Sequence, residues 1–223
     1  MDNAIKNCNN IASRETDHQV QKDMLTNKES HAPRTQASRA PRTEMEDEEM
    51  AKTLIAFFSR ADENYFGGAM RYVKVGNTEI VVGLMKELIE EVDTFKIEMK
   101  DPYSPVYMTC IDQAKKDLRA GARPELVSMP ESIDEYDTIV LAYPNYWGTI
   151  PMAVFTFLEA FDFTGKTILP LCTNEGSGMG SSERDIRKYA PGAELKRGLS
   201  ITGSQAGNSR ESVQRWLSAN GLI

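Results

Sequence analysis

Three short and almost uninterrupted apolar runs constrain the fold of this chain more than any other feature. They span residues 54–58, 139–143 and 168–172. Runs without polar alternation are typical of strands that are buried on both faces of a sheet. Helical spacing of apolar residues separates the runs, as in Tyr107, Ile111, Ala114 and Leu118. This alternation of strand and helix patterns predicts a parallel sheet with helices on both faces.

Two further strand patterns are interrupted by polar residues, which predicts that they form the edges of the sheet. Apolar and charged residues alternate over residues 95–99, and charged residues interrupt the apolar pattern of residues 195–201. We therefore predict an α/β fold with a doubly wound, five-stranded parallel sheet in the order 2-1-3-4-5. Pro170 conflicts with this arrangement, because a proline in a central strand removes a hydrogen bond from the ladder.

The composition limits which classes of function are available to the chain. Its 223 residues carry a formal net charge of −7, with a sequence pI near 5.1, so we predict that it binds no nucleic acid. The three cysteines are far apart and form no CxxC pair, which predicts a reduced protein of the cytoplasm without a zinc site. No apolar run reaches about 18 residues and no hydrophobic signal core is present, so we predict neither a membrane span nor secretion.

Residues 1–50 differ in composition from the rest of the chain. They contain no Phe, Tyr or Trp, and such a segment has little apolar surface with which to offset the entropy of ordering. We predict a disordered or poorly structured N-terminal extension over residues 1–50 and one domain over residues 51–223. Both histidines, His18 and His31, lie in the extension. The domain therefore has no histidine for Ser/His or Cys/His catalysis or for a metal site.

Ligands of an open parallel sheet bind beyond the carboxyl ends of the strands, where the strand order reverses. For the order 2-1-3-4-5, this point lies between strands one and three. The loop after strand one contains Ser59 and Arg60 and ends at Gly76, Asn77 and Thr78, where a helix is predicted to begin. Free helix N–H groups, hydroxyls and the arginine charge could hold a phosphate, although these are also ordinary turn and capping residues.

The loops after strands three and four carry residues that suit a planar ligand. The residues after strand three are Pro144, Asn145, Tyr146, Trp147 and Gly148. Their two aromatic rings could stack on a flat heteroaromatic ligand or could only pack against the following helix. The loop after strand four could follow the edge of a ligand through backbone donors, or it could be only a flexible surface loop. Its residues are Thr173, Asn174, Glu175, Gly176, Ser177 and Gly178.

Taken together, the three loops resemble those of flavodoxins, in particular the short-chain type with an enlarged first loop. The resemblance rests on SR followed by GNTE, on AYPNYWGTIPMAVFTFLE and on CTNEGSGMGSSERDIRKYAPGA, in this order. It implies a flavodoxin-like fold that holds FMN noncovalently. The ribityl chain and isoalloxazine would lie against residues 144–148, with residues 173–178 along the pyrimidine side and ribityl chain. The phosphate would bind at Ser59, Arg60, Gly76, Asn77 and Thr78.

The first loop departs from the compact family pattern, in which the phosphate loop is one short run. Here residues 61–75 separate its two halves. The insertion could fold over the cofactor or over the site of a partner, and it leaves the role of Arg60 open.

The resemblance also implies a redox function in which FMN carries the chemistry and no side chain acts as a nucleophile or general base. We predict an electron carrier between a reductase and an acceptor protein, with Tyr146 and Trp147 covering the flavin ring. We expect a monomer or weak homodimer. An FMN-dependent NAD(P)H:quinone oxidoreductase is the alternative, because it uses the same fold and cofactor. A fold relative that uses these loops only to bind another protein is a third alternative.

Overall fold

A computed structural model describes residues 52–223 of the chain. The predicted extension over residues 1–50 lies outside the described residues. None of the described helices is both long and apolar enough to cross a membrane. In chain order, the elements are β1 (Thr53–Phe57), β2 (Asp62–Phe66), β3 (Ala69–Val73), α1 (Asn77–Leu88), β4 (Asp93–Lys96), α2 (Tyr107–Ala120), β5 (Thr138–Pro144), α3 (Met152–Ala160), β6 (Thr167–Asn174), α4 (Ser182–Tyr189), β7 (Glu194–Leu195), β8 (Leu199–Thr202), a 3-10 helix (Gly203–Asn208) and α5 (Arg210–Ala219).

The main sheet is parallel and has the predicted topology. Its strand order is β4-β1-β5-β6, and β7 and β8 both pair with the outer edge of β6. Numbered along the chain, these strands follow the order 2-1-3-4-5, with the fifth strand divided into two short pieces. The prediction of a doubly wound, five-stranded sheet is confirmed. The strand order reverses between β1 and β5, which leaves a crevice at their carboxyl ends.

The division of the fifth strand explains how the sheet tolerates Pro170. The amide of Lys196 donates to the carbonyl of Ile168 in β6. Main-chain polar groups alternate in direction along a strand, so those of Pro170 face the same side as those of Ile168. On that side, β7 ends at Leu195 and β8 begins at Leu199. The missing N–H of Pro170 therefore faces the gap between the two pieces, where no strand needs it.

Helices cover both faces of the sheet and divide the core into two layers. On one face, α3 and α4 bury Phe157 and Ile186 against Leu141 of β5. On the other face, α1 and α5 bury residues such as Met85 against Val140. Successive residues of β5 serve opposite layers because strand side chains alternate in direction. This explains why the central strands contain the uninterrupted apolar runs 54–58, 139–143 and 168–172.

An exposed glycine inside α1 provides a test of this helix. Gly83 lies within Asn77–Leu88, and a Cβ at this position would meet no atom within 4 Å. Glycine in a helix interior is less favourable than alanine by about 0.5–1 kcal/mol. We therefore expect Gly83→Ala to raise the free energy of unfolding by roughly this amount in urea denaturation. A decrease would contradict the position of Gly83 in an exposed helical turn.

Candidate functional site

A cavity of about 490 Å³ opens at the carboxyl ends of β1, β5 and β6. All three loops that were predicted from the sequence to bind a ligand contribute residues to its lining. The cavity lies where the strand order reverses, as expected for an open parallel sheet. The predicted site residues that line it are Arg60, Asn77, Thr78, Pro144, Asn145, Tyr146, Trp147, Gly148, Thr173, Asn174, Glu175 and Ser177.

The start of α1 is a polar part of this region. A Cβ on Gly76 would lie 2.4 Å from Oγ of Ser59, so the two halves of the predicted phosphate loop meet despite the insertion between them. Ser59 Oγ accepts a hydrogen bond of 3.1 Å from the amide of Glu79. Among the described residues, the amides of Asn77 and Thr78 have no hydrogen-bond partner. They are free donors at the positive end of the helix dipole, where an anion is favoured.

Hydrogen bonds hold the loop after β6 in a defined conformation. The hydroxyl of Thr173 at the end of β6 lies 2.8 Å from that of Thr78, so the residue before the loop is tied to α1 through a buried contact. Asn174 Oδ1 accepts hydrogen bonds from the amides of Gly176 and Gly178, at 3.0 and 2.9 Å. Gly176 and Gly178 do not line the cavity themselves, and they shape the loop that does.

Trp147 and Gly148 occupy the centre of a tight turn after β5. Their φ angles are 53° and 84°. The amide of Tyr146 donates to the carbonyl of Thr149 at 2.9 Å, and the amide of Thr149 donates back at 3.1 Å. This is the pattern of a two-residue turn with positive φ at both central positions. Such a φ costs a bulky residue roughly 1–2 kcal/mol, and strain of this kind is concentrated at functional sites.

The indole of Trp147 is fixed outside the core. It is 46% exposed, its Nε1 donates to the carbonyl of Ile111 at 2.8 Å, and the ammonium of Lys115 lies 4.4 Å from the ring centroid. These contacts tie the indole to α2 rather than to α3, the helix that follows the turn. The alternative that the ring only packs against α3 therefore does not describe it. It has a restricted orientation at the edge of the cavity.

Tyr146 differs from its neighbour, because its ring is partly buried against two other aromatic rings. The ring lies 5.9 Å from that of Phe58 in an edge-to-face contact and 6.3 Å from that of Tyr103. Burial raises the pKa of the Tyr146 phenol and of the Cys110 thiol, whose sulfur lies 3.9 Å from the phenol oxygen. Both groups are neutral at pH 7, so this wall is uncharged and Cys110 is not a thiolate nucleophile.

Arg60 brings a positive charge to the cavity and forms no ion pair with a carboxylate of the described residues. Its guanidinium donates to the carbonyls of Glu63, Ser104 and Pro105. Its Nε is buried and has no hydrogen-bond partner among the described residues. An unneutralised guanidinium favours an anionic ligand. Residues 52–223 contain no cluster of His, Cys, Asp and Glu side chains that could hold a metal ion.

Several lining residues are absent from the sequence-based set. They belong to the insertion, to α2 and to the 3-10 helix, and they are Asn64, Tyr65, Tyr107, Cys110, Ile111, Ala114 and Gly203. The insertion forms a β2–β3 hairpin whose turn contains Gly67 and Gly68, both with positive φ. A Gly-Gly pair between two strand-like runs is a hairpin signal that could have been recognised in the sequence.

A hydrogen-bond network joins the Trp147 turn to the start of α4. The carbonyl of Gly148 accepts from the amide of Ser181 at 2.7 Å and from its Oγ at 3.1 Å. Asp185 Oδ2 accepts from Ser181 Oγ and from Thr149 Oγ1, both at 2.6 Å. The Asp185 carboxylate therefore positions both Thr149 of the turn and Ser181, which binds the turn through the carbonyl of Gly148.

This network predicts a pH dependence of stability. Partial burial raises the pKa of Asp185, but hydrogen bonds from Ser181 and Thr149 outweigh burial and hold the pKa below its usual range. Such a carboxylate stabilises the fold above its unfolded-state pKa of about 3.9, and this contribution is lost as the pH falls through the folded-state value. In urea denaturation between about pH 5 and pH 2, we expect a steeper loss of stability for the unsubstituted protein than for Asp185→Asn. Equal slopes would contradict this role of Asp185.

Comparisons with known proteins agree with the fold. The family model for flavodoxins matches residues 70–220. A protein from Bacteroides uniformis described as a candidate flavoprotein is 27% identical, and the match covers 75% of this chain and 98% of that chain with a TM-score of 0.61. A candidate flavoprotein from Bacteroides eggerthii is 23% identical. This match covers 76% of this chain and 97% of that chain, with a TM-score of 0.61.

A flavoprotein from Lactobacillus acidophilus, solved in complex with FMN, is 15% identical and shares the fold. The match covers 71% of this chain and 97% of that chain with a TM-score of 0.52. A search of curated proteins found no match to this chain.

Proposed function

Because the chain belongs to the flavodoxin family, we propose that it binds FMN noncovalently in this cavity and carries electrons between a reductase and an acceptor protein. The observation that carries the proposal is that a helix start with free amides and a fixed, exposed indole border the same region. FMN has the two complementary groups, a phosphate and a flat ring. The cavity volume also lies within the range of small-molecule sites.

The residues at the start of α1 fit the phosphate of FMN. The free amides of Asn77 and Thr78 and the hydroxyl of Ser59 are suitable donors. The Nε of Arg60 is a buried donor that has no partner within the described residues. A phosphate here would satisfy these donors and compensate the arginine charge.

The residues around the Trp147 turn fit the flavin ring. Trp147 offers an exposed ring for stacking, and among the described residues its own amide and carbonyl have no hydrogen-bond partner. The neutral side chains of Tyr146, Cys110 and Ile111 provide an uncharged wall that excludes water. Bound FMN would supply the redox chemistry. The chain itself would bind the cofactor, orient the ring and limit its contact with solvent.

An anaerobic experiment tests the carrier role against the alternative of an NAD(P)H:quinone oxidoreductase. FMN-loaded protein is first reduced by light to establish that the cofactor is redox-active, and the oxidised protein is then mixed with NADH or NADPH. For a carrier, we expect NAD(P)H to reduce bound FMN no faster than it reduces free FMN. Rapid reduction with turnover of a small quinone would favour the enzyme. A protein that takes up no FMN would contradict both functions.

A further inference from the structure

We propose that the β2–β3 hairpin is a strap over the start of α1 and that Glu175 is its latch. With the latch closed, the site accepts a flavin that ends in a phosphomonoester, such as FMN, and excludes a dinucleotide, such as FAD. This inference rests on the proposed function and adds to it the basis for selecting the flavin.

The base of the hairpin is fixed to the start of α2. The amide of Glu63 donates to the carbonyl of Pro105 at 3.2 Å, and the amide of Tyr107 donates to the Glu63 carboxylate at 2.8 Å. The rings of Tyr65 and Tyr107 are stacked with centroids 6.4 Å apart. Tyr65 and Tyr107 both line the cavity. The hairpin therefore starts beside α2, and one of its sides faces the ligand site.

The tip of the hairpin is held on the other side of the cavity by Glu175. The amide of Gly67 donates to Oε2 of Glu175 at 3.2 Å, and the amide of Ser204 donates to Oε1 at 2.6 Å. A Cβ on Gly203 would lie 3.0 Å from Oε1 of Glu175 and 2.4 Å from Nδ2 of Asn77. Glu175 therefore joins the hairpin tip to the 3-10 helix, beside the first residue of α1.

These contacts enclose the start of α1 from several directions. Ser59 and Arg60 lie on one side, Glu175 and Gly203 lie on another, and Asn64 of the hairpin lines the cavity. The hairpin is largely exposed and buries no residue of either strand. The contacts at its two ends, together with the stack of Tyr65 on Tyr107, therefore determine where it lies. Loss of the contacts at the tip should allow the tip to open.

The enclosure discriminates between ligands by shape. A terminal phosphate can occupy the enclosed space, but a phosphate that continues into a pyrophosphate and a second nucleoside needs a path out past the hairpin. FMN ends at its phosphate and therefore needs no such path.

The test compares FMN and FAD on the full-length protein freed of flavin, with affinity and FMN release followed by flavin fluorescence. We expect the unsubstituted protein to bind FMN at least about 100-fold more tightly than FAD. Glu175→Ala should narrow this ratio about 10-fold and speed FMN release about 10-fold, as expected for loss of a hydrogen bond to a charged group. Glu175→Gln keeps an acceptor oxygen without the charge and should narrow the ratio less. The control is Glu211→Ala on α5, where the carboxylate pairs with Arg215.

Hydrogen exchange without flavin tests the latch independently of cofactor binding. Glu175→Ala should speed exchange of the Gly67 and Ser204 amides by about 10-fold or more, whereas Glu211→Ala should not. The inference is overturned if FAD binds the unsubstituted protein as tightly as FMN. It is also overturned if Glu175→Ala leaves the FMN/FAD ratio and the exchange of Gly67 unchanged. If the unsubstituted protein binds neither flavin, the proposed function itself fails, and the inference about flavin selection fails with it.

Discussion

Replacement of Gly76 by alanine should weaken FMN binding by about 100-fold and leave riboflavin binding within about 3-fold of the unsubstituted protein. The added Cβ would lie 2.3 Å from the carbonyl oxygen of Arg60 and 2.4 Å from Oγ of Ser59. Backbone and hydroxyl must then move apart, which displaces the donors proposed to hold the phosphate. Riboflavin lacks the phosphate and should be insensitive to this movement. Fluorescence titration with both flavins measures the two affinities.

Gly83→Ala is the matched control for this substitution. It makes the same chemical change inside α1, the helix that follows Gly76, at a position where the structure leaves space for a Cβ. FMN affinity should not change in this variant. If Gly76→Ala binds FMN as tightly as Gly83→Ala does, the phosphate does not lie at the start of α1.

Replacement of Trp147 by alanine should weaken FMN and riboflavin binding alike, by about 10-fold to 100-fold. Stacking of a flat base on an aromatic side chain contributes about 1–3 kcal/mol, and the isoalloxazine is common to both ligands. The indole already has a fixed orientation through Ile111 and Lys115, so little ordering would accompany stacking. The ratio of the FMN and riboflavin affinities should therefore be unchanged. This pattern differs from the phosphate-specific loss that is expected for Gly76→Ala.

Tryptophan fluorescence provides the control, because the chain contains only Trp147 and Trp216. Trp216 is in α5, where its Nε1 donates to the carbonyl of Arg197. FMN should quench the emission of Trp147 strongly in a Trp216→Phe variant. Trp216→Phe should also bind both flavins normally. An unchanged FMN affinity in Trp147→Ala would show that the indole does not cover the ring.

The sheet topology could be predicted because a strand that is buried on both faces requires consecutive apolar residues, and this pattern is visible in the sequence. The central strands contain uninterrupted apolar runs, and the edge strands β4 and β7 contain charged residues. The division of the fifth strand could not be predicted, since it depends on the pairing of β7 and β8 with different parts of β6. This pairing also removes the conflict that Pro170 posed.

The candidate site could be predicted only in part, because two of its walls depend on tertiary contacts. The spacing of Tyr107, Ile111 and Ala114 predicts an apolar helix face, but spacing does not distinguish a face on the core from a face on a cavity. Tyr146 and Trp147 are adjacent aromatic residues on one turn, and the positive φ of Trp147 sends their rings to different surroundings. Sequence patterns contain no signal for this difference.

The central claim is that the cavity at the carboxyl ends of β1, β5 and β6 holds FMN. Titration of the flavin-free, full-length protein with FMN, followed by quenching of flavin fluorescence, tests this claim most directly. We expect saturation at one FMN per chain with a Kd of about 1 μM or lower. If no binding is observed at about 100 μM FMN, in protein whose circular dichroism shows a folded α/β domain, the claim is contradicted.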